Sequence, residues 1–72
     1  MKPGDICRVW ATQAAFTHGS IVEVVNTDTH SNLARCRLIM GGFRIIHGEA
    51  WQNKYGGVAV NYKDLELLEK QP

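Results

Sequence analysis

The sequence predicts a small all-β fold of five strands, and three observations carry that prediction. At 72 residues with 44% hydrophobic residues, the chain has the length and composition of one globular domain, taken as residues 1–72. Its apolar residues fall in short runs rich in Val, Ile and Leu that alternate with polar ones, the period-two pattern of half-buried strands. The runs are separated by segments rich in Gly, Asn and Asp that favour turns. Five such strands in so short a chain favour a compact barrel. A domain this small buries only about 60% of the surface of its unfolded chain, so its core is marginal and a partner subunit is a common supplement.

Each element follows from local chemistry. Pro3-Gly4-Asp5 is a turn signal. Ile6 to Trp10 follows as a strand, with Cys7 and Val9 on one face and Ile6, Arg8 and Trp10 on the other. Ala11 to Ser20 is a polar loop whose Phe16 is expected to tuck against the core. Ile21 to Val25 is rich in β-branched residues and reads as a strand. Asn26 to Asn32 is wholly polar and reads as an exposed loop.

Residues 33–48 read as a hairpin. Gly41-Gly42 supplies the positive φ angles of a tight primed turn. That register pairs Met40 with Phe43, Leu38 with Ile45 and Cys36 with His47 on an apolar face. It pairs Ile39 with Arg44 and Arg37 with Ile46 on the other face, with Arg35 near Gly48. A one-residue shift would exchange the two faces. Glu49 to Gly57 shows no regular pattern. Val58-Ala59-Val60 is a short strand, Asn61 to Asp64 a tight turn or one 3₁₀ turn, and Leu65 to Glu69 the closing strand. The competing reading makes 62–69 a short helix capped by Asn61.

Along this course the chain resembles the SH3-like small barrels. Lys2-Pro3-Gly4-Asp5-Ile6-Cys7-Arg8-Val9 is similar to their first strand, and His18-Gly19-Ser20-Ile21-Val22-Glu23-Val24-Val25 to their second strand after a long first loop. Val58-Ala59-Val60 followed by Asn61 to Leu68 looks like their last strands and the helical turn between them. The resemblance covers nearly the whole chain and implies a five-stranded SH3-like barrel with a short 3₁₀ turn or helix near the C-terminus. The paired acidic and aromatic loop residues of peptide-binding signalling SH3 domains are missing, so polyproline recognition is not implied. The Val-Gln-Ile-Tyr stretch that a four-barrel dihydrofolate reductase places in its pore is missing too, so an oligomeric small-barrel enzyme is the least expected of three readings, after a binding module and a nucleic-acid binder. It is nearer to ribosome- and transcription-associated barrels and to small barrels that assemble as subunits.

Charge and cysteine content narrow the function. The formal net charge is +1 and the sequence pI about 7.8, unlike a generic polyanion binder, whose pI exceeds about 9. Two cysteines, Cys7 and Cys36, sit in apolar strand patterns, too few for a disulfide scaffold and consistent with reduced, buried thiols. No apolar leader or membrane-length run is present, so a cytoplasmic accessory protein is expected, with Met1 and the polar tail Lys70-Gln71-Pro72 framing a complete product.

The candidate binding residues are Arg35, Arg37, Arg44, Ile39, Ile46, Trp10, Tyr55 and Trp51. On the hairpin's outer face Arg35, Arg37 and Arg44 would cluster between Ile39 and Ile46, with Trp10 beside them. Like charges on neighbouring strands repel, which an anionic partner would relieve. The plain alternative is a solvated face balanced by Glu23 and Glu49. Mixed Arg, Trp and Ile composition is enriched at protein interfaces, so a protein partner or a second copy of the chain is expected there. Nucleic acid or another anionic ligand is the alternative, with Tyr55 and Trp51 stacking on bases. Trp51 could instead act as a lid on the barrel end. Cys36 beside His47 suggests a buried thiol and a satisfied histidine, because metal-site spacing is absent. No metal, cofactor or paired carboxylate for acid-base chemistry is expected.

Overall fold

The alternating runs become strands. β1 (Ile6–Val9), β2 (Ile21–Asp28), β3 (Leu33–Met40), β4 (Val58–Asn61) and β5 (Leu65–Glu69) form one antiparallel sheet in the order β4-β3-β2-β1-β5. The structure, a computed structural model, describes residues 1–28 and 30–70. Thr29, from the expected polar loop, and Gln71 and Pro72, from the expected tail, lie outside them. Among the described residues no helix is long and apolar enough to cross a membrane.

One face of the sheet makes the core. Cys7 and Val9 of β1, Val22 and Val24 of β2, Ala34 and Cys36 of β3, and Val58 and Val60 of β4 are all buried. Each buried valine removes an apolar side chain from water, about 1.5–3 kcal/mol apiece. The alternating partners, among them Ile6, Arg8, Ile21, Glu23, Arg35 and Arg37, face outward with partial or full exposure.

The expected barrel is not closed, because β4 and β5 are the sheet's two margins and do not pair with each other. The inner face is covered instead from the β1–β2 loop. Phe16, wholly buried, stacks on Phe43 with ring centroids 5.3 Å apart, and Ala11, Ala14 and Ala15 pack on the same cluster.

The hairpin expected over 33–48 does not form, and this is the main correction. β3 is its first arm, but the second arm is no strand. Gly41 has φ +119° and Gly42 has no positive φ, so the pair lacks the two positive φ angles of a type I′ turn. The chain after Met40 does not fold back along β3. It runs beside the first loop: Thr17 N–H donates to Gly42 O (2.9 Å), Arg44 N–H donates to Ala15 O (2.7 Å), and Phe43 bridges Phe16. The pairings Met40–Phe43, Leu38–Ile45, Cys36–His47, Ile39–Arg44 and Arg37–Ile46 are replaced. Cys36 lies opposite Val24 and Val58, Leu38 opposite Val22, and Arg37 opposite Glu23.

Residues 48–55 form a helix, α1 (Gly48–Tyr55), so the fold is mostly β rather than all-β. Glu49 in the first turn and Lys54 in the last suit the helix dipole. Gly56 ends it at φ +80°, its N–H bonding to Gln52 O at 2.8 Å, as a left-handed cap does. Strand β2 also runs three residues further than expected, because Asn26, Thr27 and Asp28 pair with Arg35, Ala34 and Leu33. Near the C-terminus the 3₁₀ reading holds: Tyr62–Asp64 forms one turn, with Asn61 Oδ1 accepting from Lys63 N–H at 3.1 Å. Strand β5 follows it.

Candidate functional site

β3 alternates as the sequence implied, and this fixes the site. Ala34, Cys36 and Leu38 turn toward the core, and Arg35, Arg37 and Ile39 turn outward. Loss of the hairpin then separates the expected arginine cluster. Arg37 forms an ion pair with Glu23, its neighbour across the strands. Arg44 lines a different cleft, with Ala11, Thr12, Thr17 and His18. Ile46 is 94% exposed, and Ile39 and Met40 are exposed at the end of β3, Met40 lying opposite Ile21.

Trp10 stands apart with β5. Its indole N–H donates to Glu66 Oε1 at 2.6 Å, its ring meets His18 edge-on at 5.0 Å, and the Arg8 guanidinium lies 5.5 Å from its centroid. Arg8 Nε is buried there and has no hydrogen-bond partner among the described residues. Trp10 and His18 open onto a cleft of about 400 Å³ that also includes Lys63 and Asp64. Its cation and its carboxylate offset each other, so it presents no single sign of charge.

Three of the expected residues do converge. Arg35 from β3 and Trp51 and Tyr55 from α1 line a cleft of about 290 Å³, with Ala15, Gly57, Val58 and Ala59 completing the wall. Trp51 and Tyr55 are four residues apart and so lie on one side of the helix. They are 48% and 54% exposed, so Trp51 is not a closed lid. The Arg35 guanidinium carbon lies 6.0 Å from the Tyr55 ring, and Lys54 Nζ lies 5.3 Å from the same ring.

Local folding places each of these groups. The β3 amide of Leu38 lies beyond the last β4 pair, and Gln52 of α1 accepts its hydrogen bond at 2.7 Å, which ties the helix to the strand. Arg35 Nη1 reaches the carbonyls of Tyr55 and Gly57, each at 3.5 Å, the outer limit of a hydrogen bond. Gly57 is a close approach: a Cβ there would lie 2.8 Å from Arg35 Cγ and 2.8 Å from Cys36 O. Among the described residues Arg35 has no ion pair, and no Asp or Glu lines this cleft.

The thiols belong to the core. Burial pushes the Cys36 thiol up to about 12, helped by nearby Cys7, and burial with Asp5 raises Cys7 as well. Cys36 Sγ lies 3.6 Å from Ala34 O. His47 is exposed at the start of α1 and is not the cross-strand partner of Cys36, as the hairpin would have made it. Among the described residues no three His, Cys, Asp or Glu side chains stand close enough together to hold a metal ion.

The sequence did not single out Lys54, Gln52 or Ala59. The spacing of Trp51 and Tyr55 before Gly56-Gly57 was the available signal. Comparison of the chain with protein-family models, with curated proteins and with solved structures returns no match.

Proposed function

We propose that the chain is a small non-enzymatic protein-docking module, built as an open SH3-like barrel, whose recognition site is the Arg35–Trp51–Tyr55 cleft. The strand order, the long β1–β2 loop and the 3₁₀ turn before β5 support the SH3-like assignment. One observation carries the docking reading: two half-exposed aromatic rings and an arginine without an ion pair among the described residues meet in one concave, largely apolar cleft. Trp, Tyr and Arg are the residues that most often dominate binding energy at protein interfaces. The thiols, buried and protonated at neutral pH, support a packing role rather than nucleophilic attack.

The test is selection from a displayed random-peptide library on the wild-type chain and on a Trp51→Ala/Tyr55→Ala variant. Peptides enriched on the wild type and lost on the variant support the reading. Enrichment that survives both substitutions, or no enrichment at all, contradicts it. Self-association is a second reading, favoured by exposed Ile39 and Met40 at the outer end of β3. Light scattering of the wild type beside Met40→Glu tests it: a dimer that the substitution dissociates supports it, and a monomer throughout contradicts it.

A further inference from the structure

We propose that the cleft takes an extended acidic segment of a partner protein, which adds as a strand along the free margin of β4 and sets a carboxylate against Arg35. The inference rests on the docking reading and names the chemistry of the occupant.

The two margins of the sheet differ in how they are protected. Unpaired strand edges invite further strands, and natural sheets blunt them with charge, proline or bulges. β5 is Leu-Glu-Leu-Leu-Glu, with Glu66 and Glu69 along it and a register irregularity against β1. β4 is Val-Ala-Val-Asn, with no charge and no proline, and among the described residues it pairs with β3 alone. Of the two margins, β4 is the one open to an added strand.

The cleft lies along that margin. Gly57, Val58 and Ala59, the start of β4, form part of its wall. A strand added there presents alternate side chains toward the cleft, since residues two apart share a face. The volume of about 290 Å³ falls just below the range of ligand pockets, about 300 to 1,000 Å³. It suits one or two side chains rather than a large cofactor.

Charge selects which side chains. Arg35 and Lys54 both lie beside the Tyr55 ring, and among the described residues no carboxylate lines the cleft. The guanidinium's two bonds to carbonyls are at the distance limit and leave donors for a bidentate carboxylate. The occupant is therefore an apolar or aromatic residue over the Trp51–Tyr55 wall and an Asp or Glu two positions away. Single-stranded nucleic acid fits less well, because such sites track a backbone with several cations. Here Arg37 is already paired with Glu23 and Arg44 lies at another cleft.

The test uses the full chain carrying Trp10→Phe, so that Trp51 is the sole tryptophan and is excited selectively at its red edge. It is titrated with capped heptapeptides of alternating Val and Thr. Each holds Phe or Leu two positions from Asp or Glu, and a matched panel carries Asn or Gln instead. The acidic panel is expected to bind about tenfold more tightly than the neutral one, with the preference confined to within about twofold in Arg35→Gln and largely kept in Arg35→Lys. Should Arg35→Gln lose its fold by circular dichroism, the salt series decides. The wild-type preference should fall at least about threefold between about 0.05 and 0.5 M salt, as exposed charge pairs do. Hydrogen exchange of the Val58–Asn61 amides should slow on binding.

Equal binding of the two panels, a preference indifferent to salt, or unchanged β4 exchange overturns the inference while leaving the docking reading standing. Tighter binding of a thymidine decanucleotide than of any peptide overturns it in favour of nucleic acid. Absence of any peptide binding up to about 1 mM overturns both readings.

Discussion

Replacing Gly57 with alanine probes the joint between the sheet and the cleft. The new Cβ would lie 2.8 Å from Arg35 Cγ, 2.8 Å from Cys36 O and 3.1 Å from Cys36 C. The arginine stem can swing away. The Cys36 backbone cannot, because Cys36 is held opposite Val58 on one side and Val24 on the other, with its side chain wholly buried. Gly57 has no positive φ, so backbone strain of its own adds nothing. The cost is that of overpacking, about 1–3 kcal/mol. For a domain of 60–100 residues, where about 1 kcal/mol shifts Tm by roughly 4–8 °C, the midpoint should fall by about 5–20 °C. Urea unfolding followed by circular dichroism measures the free energy, and a thermal melt the midpoint. Because the clash is mainly with backbone, adding Arg35→Ala should recover less than about half of the loss, a coupling that a double-mutant cycle reads directly. A Gly57→Ala chain within about 0.5 kcal/mol of wild type, or one fully rescued by Arg35→Ala, would refute the packing argument.

Three further outcomes follow from other contacts. Gln52→Leu removes the acceptor for the Leu38 amide and should cost about 1–2 kcal/mol in urea unfolding, with the loss concentrated in exchange protection of Leu38. Arg37→Gln breaks a half-exposed ion pair with Glu23 and should change stability by less than about 1 kcal/mol, the smaller at high salt. The Cys36 thiol ordinarily ionises at 9.0 and in the fold at about 12, so the unfolded chain loses its proton first. Its contribution is complete below pH 9 and is lost as pH climbs toward 12, about 4 kcal/mol at most. The stability gap between wild type and Cys36→Ala should therefore narrow over that range and stay constant below it.

Much of the sheet was legible because burial on one face writes a period of two. Cys7 and Val9, Val22 and Val24, and Ala34 and Cys36 alternate with outward residues in the sequence and in the structure. Phe16 announced itself as a large apolar residue in a polar loop, and it fills the core. The glycine pair misled for a physical reason. Gly41 is required by the close approach of Ser20 and by its positive φ, not by a two-residue turn. The bonds that decide the path of residues 42–44 go to Thr17 and Ala15, 25 and 29 residues back, and no local pattern encodes them.

The helix was hidden because its start carries no cap. His47 makes no side-chain hydrogen bond to it, and its only buried residue is Gly48, tight against the Phe43 ring. With no apolar stripe facing a core, the usual helical period has nothing to mark. Its end was readable in Lys54 and Gly56, and its one functional signal was the four-residue spacing of Trp51 and Tyr55. Arg35, Trp51 and Tyr55 could each be singled out from sequence, but their meeting depended on the chain passing through α1 rather than through a second hairpin arm. Arg44 and Ile46 were drawn into the expected site only by that hairpin.

The most direct test of the central claim is an amide-resolved NMR titration of the chain with a peptide selected on it. The largest shifts are expected at Arg35, Trp51, Tyr55 and Gly57 to Ala59, with the indole signal of Trp51 moving and that of Trp10 still. Largest shifts at Trp10, His18 and Lys63, or at Ile39 and Met40, would place recognition elsewhere and contradict the account.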